Sequence, residues 1–233
     1  NPDAKAVLII SPTQFGITAD IKKIAKIVHQ AGKILLVDEA WGAHFKFHPE
    51  FPLTALASDA DMVVQSTHKR LPALSQTSML HIQGKRIDRE KAQKAIQMLQ
   101  TTSPSYILLA SLDSARREMA LDGKKLWTEI ISLTKKARKE IKESGFRILE
   151  RRHLNNLGFD LDLTNISIEV ENGFRAWKIL NKNKIEPEFA TPDYLILIVG
   201  LGNDAKDIFS LERALKKISP KKYFKKIKYP SFV

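Results

Sequence analysis

Two ionisable groups stand directly after apolar runs of strand length. Asp38 and Glu39 follow the run in "KILLVDEAWGAHF", and Lys69 follows the run in "DMVVQSTHK". In a parallel α/β sheet, ligands lie beyond the carboxyl ends of the strands, so the Asp38 carboxylate and the Lys69 amine could meet there. They would form either a simple ion pair or the pair that pyridoxal phosphate requires. In the second case the lysine forms a Schiff base with the aldehyde, and the acid keeps the pyridine nitrogen protonated.

The residues beside Lys69 carry polar groups that suit the cofactor interpretation. A lysine amine loses its proton readily when it is desolvated or lies near another cation, and His68 could supply that cation or a proton. Ser66 and Thr67 offer hydroxyl groups to a phosphate. The pattern alone nevertheless favours a structural ion pair over a cofactor site, because ion pairs without a catalytic role are common.

A second cluster of polar residues follows Asp38 and Glu39 in the sequence. His44, His48 and Glu50 are of types that bind metals. The i, i+4 spacing of the two histidines indicates a zinc site only on a helix, and Gly42 and Pro49 predict a loop. We therefore predict structural roles for these residues and no metal site.

Four apolar runs in the first third of the chain predict a sheet. They are near-continuous rather than alternating, which is typical of strands buried on both faces. An amphipathic helix is predicted between the first two runs, with Thr18 as its cap and Gly32 at its end. Strand, helix and strand in this order predict a βαβ unit and a largely parallel sheet. The predicted strands are Ala6–Ile10, Lys33–Val37, Asp61–Gln65 and Thr77–Ile82.

The rest of the chain predicts three helices and then a second α/β unit. The helices are Asp88–Leu99, Ser105–Ala120 and Gly123–Gly145. Strands are then predicted in "FRILE", "FDLDLTNISIEV" and "DYLILIVGL", with helices over Gly173–Asn183 and Asp204–Ile218. We accordingly predict two domains, 1–144 and 145–233.

Composition narrows the class of protein. The chain has 233 residues, 43% of them hydrophobic, no cysteine and a net charge of +12, so disulfides and cysteine chemistry are excluded. No apolar run reaches the roughly 18 residues of a membrane span, and we expect a cytoplasmic protein. The lysine-rich end could bind nucleic acid, although a solvated tail is the preferred interpretation; its lysines are Lys216, Lys217, Lys221, Lys222, Lys225, Lys226 and Lys228.

Four long motifs resemble one enzyme family. They are "SPTQFGITADI", "LLVDEAWGAHFKFHP", "ADMVVQSTHKRLPALSQTSMLH" and "TTSPSYILLASLDSAR", in this order between residues 11 and 116. They look like the Orn/Lys/Arg decarboxylases, pyridoxal-phosphate enzymes with the fold type I, aminotransferase-like architecture. The resemblance implies a lyase that decarboxylates lysine, ornithine or arginine, with a role in amino-acid metabolism and polyamine biosynthesis. It also implies a homodimer or larger homo-oligomer with shared active sites.

The resemblance assigns a role to each matching residue. Lys69 would be the Schiff-base lysine and Asp38 the partner of the pyridine nitrogen. The cofactor would also contact Ala40, Trp41, Ser66 and His68, with His68 as a second catalytic residue. Thr102 or Ser103 would reach the phosphate of the neighbouring subunit, and Glu188 would meet a substrate amine.

The chain departs from the family pattern at single residues and in extent. Trp41 replaces a histidine, Gln14 replaces a tyrosine, and Arg70 replaces a smaller residue after the lysine. The chain opens "NPDAKAVLII", without methionine. It therefore resembles the second half of the large domain followed by the small domain, as an excised piece that lacks the main phosphate loop. For such a piece we expect weak activity or none.

Three functions stay open at this stage. The first is decarboxylation of a basic amino acid, for which local acids such as Glu39 must outweigh the repulsion between a +12 chain and a cationic substrate. The second is another lyase or transferase reaction with the same cofactor, because one fold hosts many chemistries. The third is a non-catalytic, basic remnant that binds nucleic acid. We prefer the first function, and we therefore expect neither nucleic acid nor a membrane as the partner.

Overall fold

The computed structural model describes residues 2–221, apart from the side chain of Asn155. The chain divides into two compact units, and each is built from three stretches of sequence. The first unit comprises Asn1–Ser132, Glu150–Asn165 and Val199–Gly202, and the second comprises Leu133–Leu149, Ile166–Ile198 and Asn203–Val233. All the candidate residues near Asp38 and Lys69 belong to the first unit.

The first unit contains a four-stranded sheet. Its strands are β1 (Ala6–Ile10), β3 (Ile34–Asp38), β4 (Met62–Gln65) and β5 (Met79–Ile82), in the spatial order β1-β3-β4-β5. The pairs β1–β3 and β3–β4 are parallel, whereas β5 runs antiparallel to β4. The apolar runs thus located all four strands, and the predicted α/β fold with a mostly parallel sheet is confirmed.

One helix covers one face of this sheet. Helix α1 (Ile21–Gln30) begins at Asp20, whose side chain accepts a hydrogen bond from the Lys23 backbone N–H at 2.9 Å. The buried side of α1 packs on the inward-facing residues of the central strands, Leu35 and Val37. The predicted cap at Thr18 is wrong, because Thr18 lies in the short strand β2 (Ile17–Ala19).

The opposite face of the sheet is open beside β1. Leu8 is 67% exposed and Ile10 is 65% exposed. Both belong to the face that alternates away from α1, and Asp38 lies on that same face because side chains alternate along a strand. The candidate acid therefore stands on an accessible surface.

The predicted pair of helices after residue 105 is wrong, because the chain forms one helix there. Helix α3 is Arg89–Leu99, and α4 extends without a break from Tyr106 to Glu143. Gly123 lies inside α4 although glycine costs about 1 kcal/mol in a helix interior. A Cβ atom at this position would lie 3.2 Å from the Cβ of Phe47, so close packing explains the glycine. No helix within residues 2–221 is long and apolar enough to cross a bilayer.

The stretch predicted as one strand in "FDLDLTNISIEV" forms two strands of different sheets. Strand β7 (Phe159–Leu161) pairs antiparallel with β2. Strand β8 (Asn165–Glu169) joins the sheet of the second unit, whose order is β6-β8-β10-β9. The other members of that sheet are β6 (Arg147–Ile148), β9 (Phe189–Ala190) and β10 (Tyr194–Ile198), and the unit also contains helices α5 (Gly173–Lys182) and α6 (Ala205–Leu215).

Three lysines of the basic end lie in the second unit, and each has a local partner. The amine of Lys216 lies 3.1 Å from Glu212, that of Lys217 donates to Asn183 at 2.8 Å, and that of Lys221 lies 2.7 Å from Asp193. Glu212 and Asp193 offset part of the positive charge that this segment presents to an anion. The remaining lysines of the predicted basic patch fall outside the described residues; they are Lys222, Lys225, Lys226 and Lys228.

Candidate functional site

Asp38 is the last residue of β3, at the carboxyl end of two adjacent parallel strands. It pairs with Ile10 of β1 and with Val64 of β4. Its Oδ1 atom accepts a hydrogen bond from the backbone N–H of Ala40 at 3.0 Å. This bond stabilises the turn that follows the strand, and that turn positions Trp41.

Lys69 stands at the carboxyl end of the neighbouring strand, on the short helix α2 (Thr67–Arg70). Its backbone N–H donates to the carbonyl of Ser66 at 3.1 Å. Its amine lies 4.8 Å from the centroid of the Trp41 indole ring, within range of a cation–π contact. The structure therefore brings Asp38, Trp41 and Lys69 together along one edge of the sheet.

His68 and Ser66 precede the lysine, and only one of the two side chains is held by a hydrogen bond that fixes its role. Nδ1 of His68 lies 2.8 Å from the carbonyl oxygen of Thr77, so Nδ1 carries the proton and donates it. This bond leaves Nε2 as an acceptor in the neutral ring. Ser66 is the N-cap of α2, and its hydroxyl forms no capping hydrogen bond, which leaves that hydroxyl available to a ligand.

The resemblance also assigns roles to Thr102 and Glu188, and the contacts of the described residues do not link either of them to this edge. Thr102 is exposed in the segment between α3 and α4. Glu188 is exposed in the second unit, and its backbone N–H donates to the carbonyl of Ile196 at 2.9 Å. Their roles toward a cofactor and a substrate stay predictions.

Glu39, the neighbour of Asp38, is buried within a hydrogen-bond network that the sequence did not indicate. Its carboxylate accepts from the Ala55 backbone N–H at 2.7 Å and from the Gln65 amide at 2.6 Å. The Gln65 carbonyl lies 3.0 Å from Nε2 of His81. Burial raises the pKa of the Glu39 carboxyl to about 7, although the bonds from Ala55 and Gln65 lower it. Glu39 is therefore a structural acid behind the sheet and not a free charge that attracts substrate.

Replacing Glu39 by Gln should change how stability depends on pH. An acid whose pKa is raised on folding loses stability as pH rises from its unfolded pKa to its folded pKa. From pH 4.5 to pH 7 the free energy of unfolding should fall by about 3 kcal/mol more in the unaltered chain than in Glu39→Gln. Urea unfolding at a series of pH values measures this difference, and titration of His81 largely cancels between the two profiles. Parallel profiles, with exposed Glu118→Gln as control, would contradict the prediction.

Arg70, the residue after Lys69, belongs to a buried polar cluster that the sequence did not indicate. Its guanidinium donates to the hydroxyl of Thr164 and lies 3.4 Å from both Asp162 and His44. Nε2 of His44 donates to Asp162 at 3.0 Å. His44 and Asp162 are 118 positions apart in the sequence, so neither spacing nor periodicity could have revealed the cluster.

The two histidines of the suspected metal cluster have separate protein partners. His44 is fully buried, bonded to Asp162 and packed against Phe51 and Trp127 with ring centroids 4.4 and 4.8 Å away. Nε2 of His48 lies 3.2 Å from the hydroxyl of Thr128. Across residues 2–221, no group of three or more His, Cys, Asp or Glu side chains is arranged to hold a metal ion.

The donor set at the strand edge fits pyridoxal phosphate. The exposed Lys69 amine can react with an aldehyde, the Asp38 carboxylate can hold a protonated ring nitrogen, and the Ser66 hydroxyl can donate to a phosphate. Trp41 adds an aromatic surface beside the amine. The groups are those that the cofactor needs, and each stands at the end of a strand or just beyond it.

Arginine decarboxylases are similar in sequence to nearly the whole of this chain, and lysine decarboxylases to about half of it. An arginine decarboxylase of Halalkalibacterium halodurans is 37% identical over 226 residues, which are 94% of this chain and 46% of that protein. Lysine decarboxylase LdcA of Pseudomonas aeruginosa is 31% identical over 128 residues, 51% of this chain and 17% of that protein. The chain thus spans about half the length of the arginine decarboxylases that it resembles.

Solved structures share its fold. A Francisella novicida lysine decarboxylase, LdcF, superposes with a TM-score of 0.77 at 22% identity and covers 91% of this chain and 36% of that one. An alanine–glyoxylate aminotransferase from Nostoc sp. gives a TM-score of 0.69 at 15% identity, with 91% of this chain and 61% of that one covered. These identities establish the fold alone, and they confirm the predicted fold type I architecture.

A family model decides the classification. The model described as the major domain of Orn/Lys/Arg decarboxylase matches residues 1–160. That match includes Asp38, Trp41 and Lys69, the three residues that the structure brings to one sheet edge. The chain therefore belongs to the Orn/Lys/Arg decarboxylase family, whose cofactor is pyridoxal phosphate.

Proposed function

We propose that this chain provides the cofactor-binding lysine and acid of a decarboxylase that acts on a basic amino acid. The observation that carries the proposal is the shared edge: Asp38 ends one parallel strand, and Lys69 follows the next with its amine 4.8 Å from the Trp41 ring. A simple ion pair would not need an aromatic side chain beside the amine, whereas the Trp41 indole offers a surface for the cofactor ring next to Lys69.

Arginine is the substrate that the relatives favour. Proteins named arginine decarboxylase match 93–94% of this chain at 34–37% identity. Proteins named lysine decarboxylase match only 45–51% of it. We therefore place arginine before lysine and ornithine.

Each residue at the edge has a distinct task in this proposal. Bound pyridoxal phosphate supplies an electron sink for the electrons that remain when the carboxyl group leaves the substrate. Lys69 holds the cofactor covalently through its amine, Asp38 keeps a positive charge on the ring nitrogen, and Ser66 donates to the phosphate. His68 keeps Nε2 as an acceptor, since Nδ1 is bonded to the Thr77 carbonyl, and can hold a proton near the reacting carbon.

The remaining assignments belong to the whole protein. Ala40 and Trp41 would contact the ring, and Glu188 would bind the substrate amine or guanidinium. Thr102 would reach a second copy of the chain in a homodimer, which is supported by the 80% exposure of Tyr106 and the 73% exposure of Ile107 nearby. We also propose residues 1–144 and 145–233 as the two domains, a cytoplasmic location, and a role in polyamine biosynthesis.

The release of carbon dioxide tests the function. A protein that contains this chain and has the full length of the arginine decarboxylases it resembles is incubated with pyridoxal phosphate and carboxyl-labelled arginine, lysine or ornithine. The labelled gas and the amine product are measured, and all gas assays described below use the same protein. We expect arginine to give at least about tenfold more gas than the other two, because the loss of a few hydrogen bonds to the guanidinium costs 1.4 kcal/mol or more. Gas at the level of the cofactor alone with all three substrates would contradict the proposal, and amino-group transfer without gas would favour another reaction of the same cofactor.

A further inference from the structure

Helix α2 is too short to hold Lys69 in place by itself. It contains four residues, Thr67–Arg70, and isolated helices of that length have no stability of their own. Its orientation must therefore come from side chains that anchor it to the rest of the first unit. Two of its four residues are buried, Thr67 and Arg70, and Arg70 is the one with charged contacts.

The anchor of Arg70 is a neutral, fully buried assembly. Arg70 and Asp162 side chains are each 1% exposed. Burial would raise the pKa of Asp162, but the neighbouring His44 and Arg70 and the hydrogen bonds from His44 and Thr164 hold that pKa well below its usual range. Burial and the charge of Arg70 lower the pKa of His44 to about 4. At neutral pH the assembly thus contains one cation, one anion and an uncharged imidazole that donates to the anion.

Asp162 is itself held by hydrogen bonds to neighbouring residues, so the carboxylate that anchors Arg70 has a fixed position. Its Oδ1 atom accepts from the Thr164 backbone N–H at 2.9 Å and from the Thr164 hydroxyl at 2.6 Å. Its own backbone N–H donates to the carbonyl of Gly16 at 2.8 Å. The Nη2 atom of Arg70 lies 3.4 Å from this carboxylate and donates to the Thr164 hydroxyl, so the guanidinium is tied to one fixed group in the interior.

We propose that the Arg70–Asp162 pair, with His44, is a positioning device that sets the place of the Lys69 amine over Trp41. Consecutive residues of a helix point in directions about 100° apart. Fixing the side chain of Arg70 in the interior therefore fixes the direction in which Lys69 leaves the helix. The inference rests on the proposed function insofar as Lys69 is the cofactor lysine, and it adds residues that act through Lys69 without touching the cofactor.

The test separates positioning from simple support of the fold. Removing one partner of a buried ion pair leaves an unpaired charge and destabilises the protein, whereas replacing both by neutral groups is often tolerated. The variants are therefore Arg70→Leu, Asp162→Asn and the double variant, with Arg117→Leu on the exposed side of α4 as the matched control. Urea unfolding should show a lower midpoint for both single variants and partial or full recovery in the double variant.

Two chemical readouts then report on Lys69 in the double variant. The first is the acetylation rate of Lys69 relative to exposed Lys94, measured by mass spectrometry without cofactor. We expect this ratio to rise at least about threefold, because a lysine that is no longer held against the indole presents its amine more freely to the reagent. The second is the amount of pyridoxyl group fixed on Lys69 relative to Lys94 after borohydride reduction with pyridoxal phosphate, and this ratio should fall at least about fivefold.

The outcomes are distinct for the two proposals. A double variant that recovers stability and keeps both ratios within about twofold of the unaltered chain would overturn the positioning role, since only support of the fold would then remain. If the double variant does not fold, Arg70→Lys, which keeps the charge but loses the fork, decides by the same ratios. If the unaltered chain fixes no more pyridoxyl group on Lys69 than on Lys94, the proposed function fails, and the acetylation ratio still decides the positioning role.

Discussion

Replacing Lys69 by Ala should reduce the pyridoxyl group fixed at this position to zero and lower carbon dioxide release from arginine by about 10³-fold or more. Asp38, Ser66 and Trp41 can only orient the cofactor. Of these three side chains and Lys69, only the Lys69 amine can form a covalent bond with the cofactor aldehyde. The measurement combines borohydride reduction, peptide mapping and the gas assay. Lys69→Arg keeps the positive charge above Trp41 but cannot form the bond, and it should fail equally.

The matched control is Lys94→Ala, because Lys94 is an exposed lysine of α3 on the same unit. It should keep both the pyridoxyl group on Lys69 and the release of gas within about twofold, the range expected for an exposed surface substitution. If Lys69→Arg retained gas release close to that of the unaltered chain, the lysine would be a structural cation. The pattern interpretation as a simple ion pair would then be correct.

The placement of Asp38 and Lys69 was predictable because it depends on local signals and one general rule. Near-continuous apolar runs locate buried strands, and parallel strands place their carboxyl ends on one edge of the sheet. No alignment of distant segments is needed for that argument. The same reasoning placed four strands and α1 within a few residues of their observed bounds.

The errors have one physical origin, which is that distant parts of the chain decide local structure. Thr18 reads as a helix cap, yet it pairs with Asp160 of β7, more than a hundred residues away. Gly123 reads as the start of a helix, yet it lies inside α4, where the close approach of Phe47 favours a residue without a side chain. Asp162 has no local motif at all, and its role is set by Arg70 and His44. Single-sequence patterns contain no information on such contacts.

Glu39 shows how a correct location can accompany an incorrect role. The sequence places it beside Asp38, and a charged acid there would help to attract a cationic substrate. Glu39 follows the last residue of β3, and its carboxylate accepts hydrogen bonds from Ala55 and Gln65 in the interior. Burial there raises the pKa of the carboxyl to about 7. In the proposed reaction, acids other than Glu39, such as Glu188, would attract the cationic substrate.

Replacing Asp38 by Asn should separate cofactor capture from catalysis. The amide keeps the size of the side chain and an oxygen that can accept from the Ala40 N–H, as Oδ1 does at 3.0 Å, so the turn that presents Trp41 should persist. What disappears is the negative charge that holds the ring nitrogen in its positive form. Removing one preorganised electrostatic partner of a developing charge costs about 10²- to 10³-fold in rate. Carbon dioxide release from arginine should fall by that factor, while the pyridoxyl group fixed on Lys69 stays within about twofold.

The contrast between the two readouts is what makes this variant informative. If Asp38 only supported the turn, Asp38→Asn would leave both readouts unchanged, and Asp38→Ala, which removes the acceptor for Ala40, would lower both together. If Asp38 were an ion-pair partner of Lys69 and nothing more, Asp38→Asn would raise the reactivity of the lysine and leave gas release intact. Asp113→Asn, on the exposed surface of α4 beside Arg116, controls for the loss of one negative charge. A carboxylate that holds a positive charge on the ring nitrogen acts on the loss of the carboxyl group and not on the formation of the bond to Lys69. Only a selective loss of gas release therefore supports the assignment of Asp38 to the ring nitrogen.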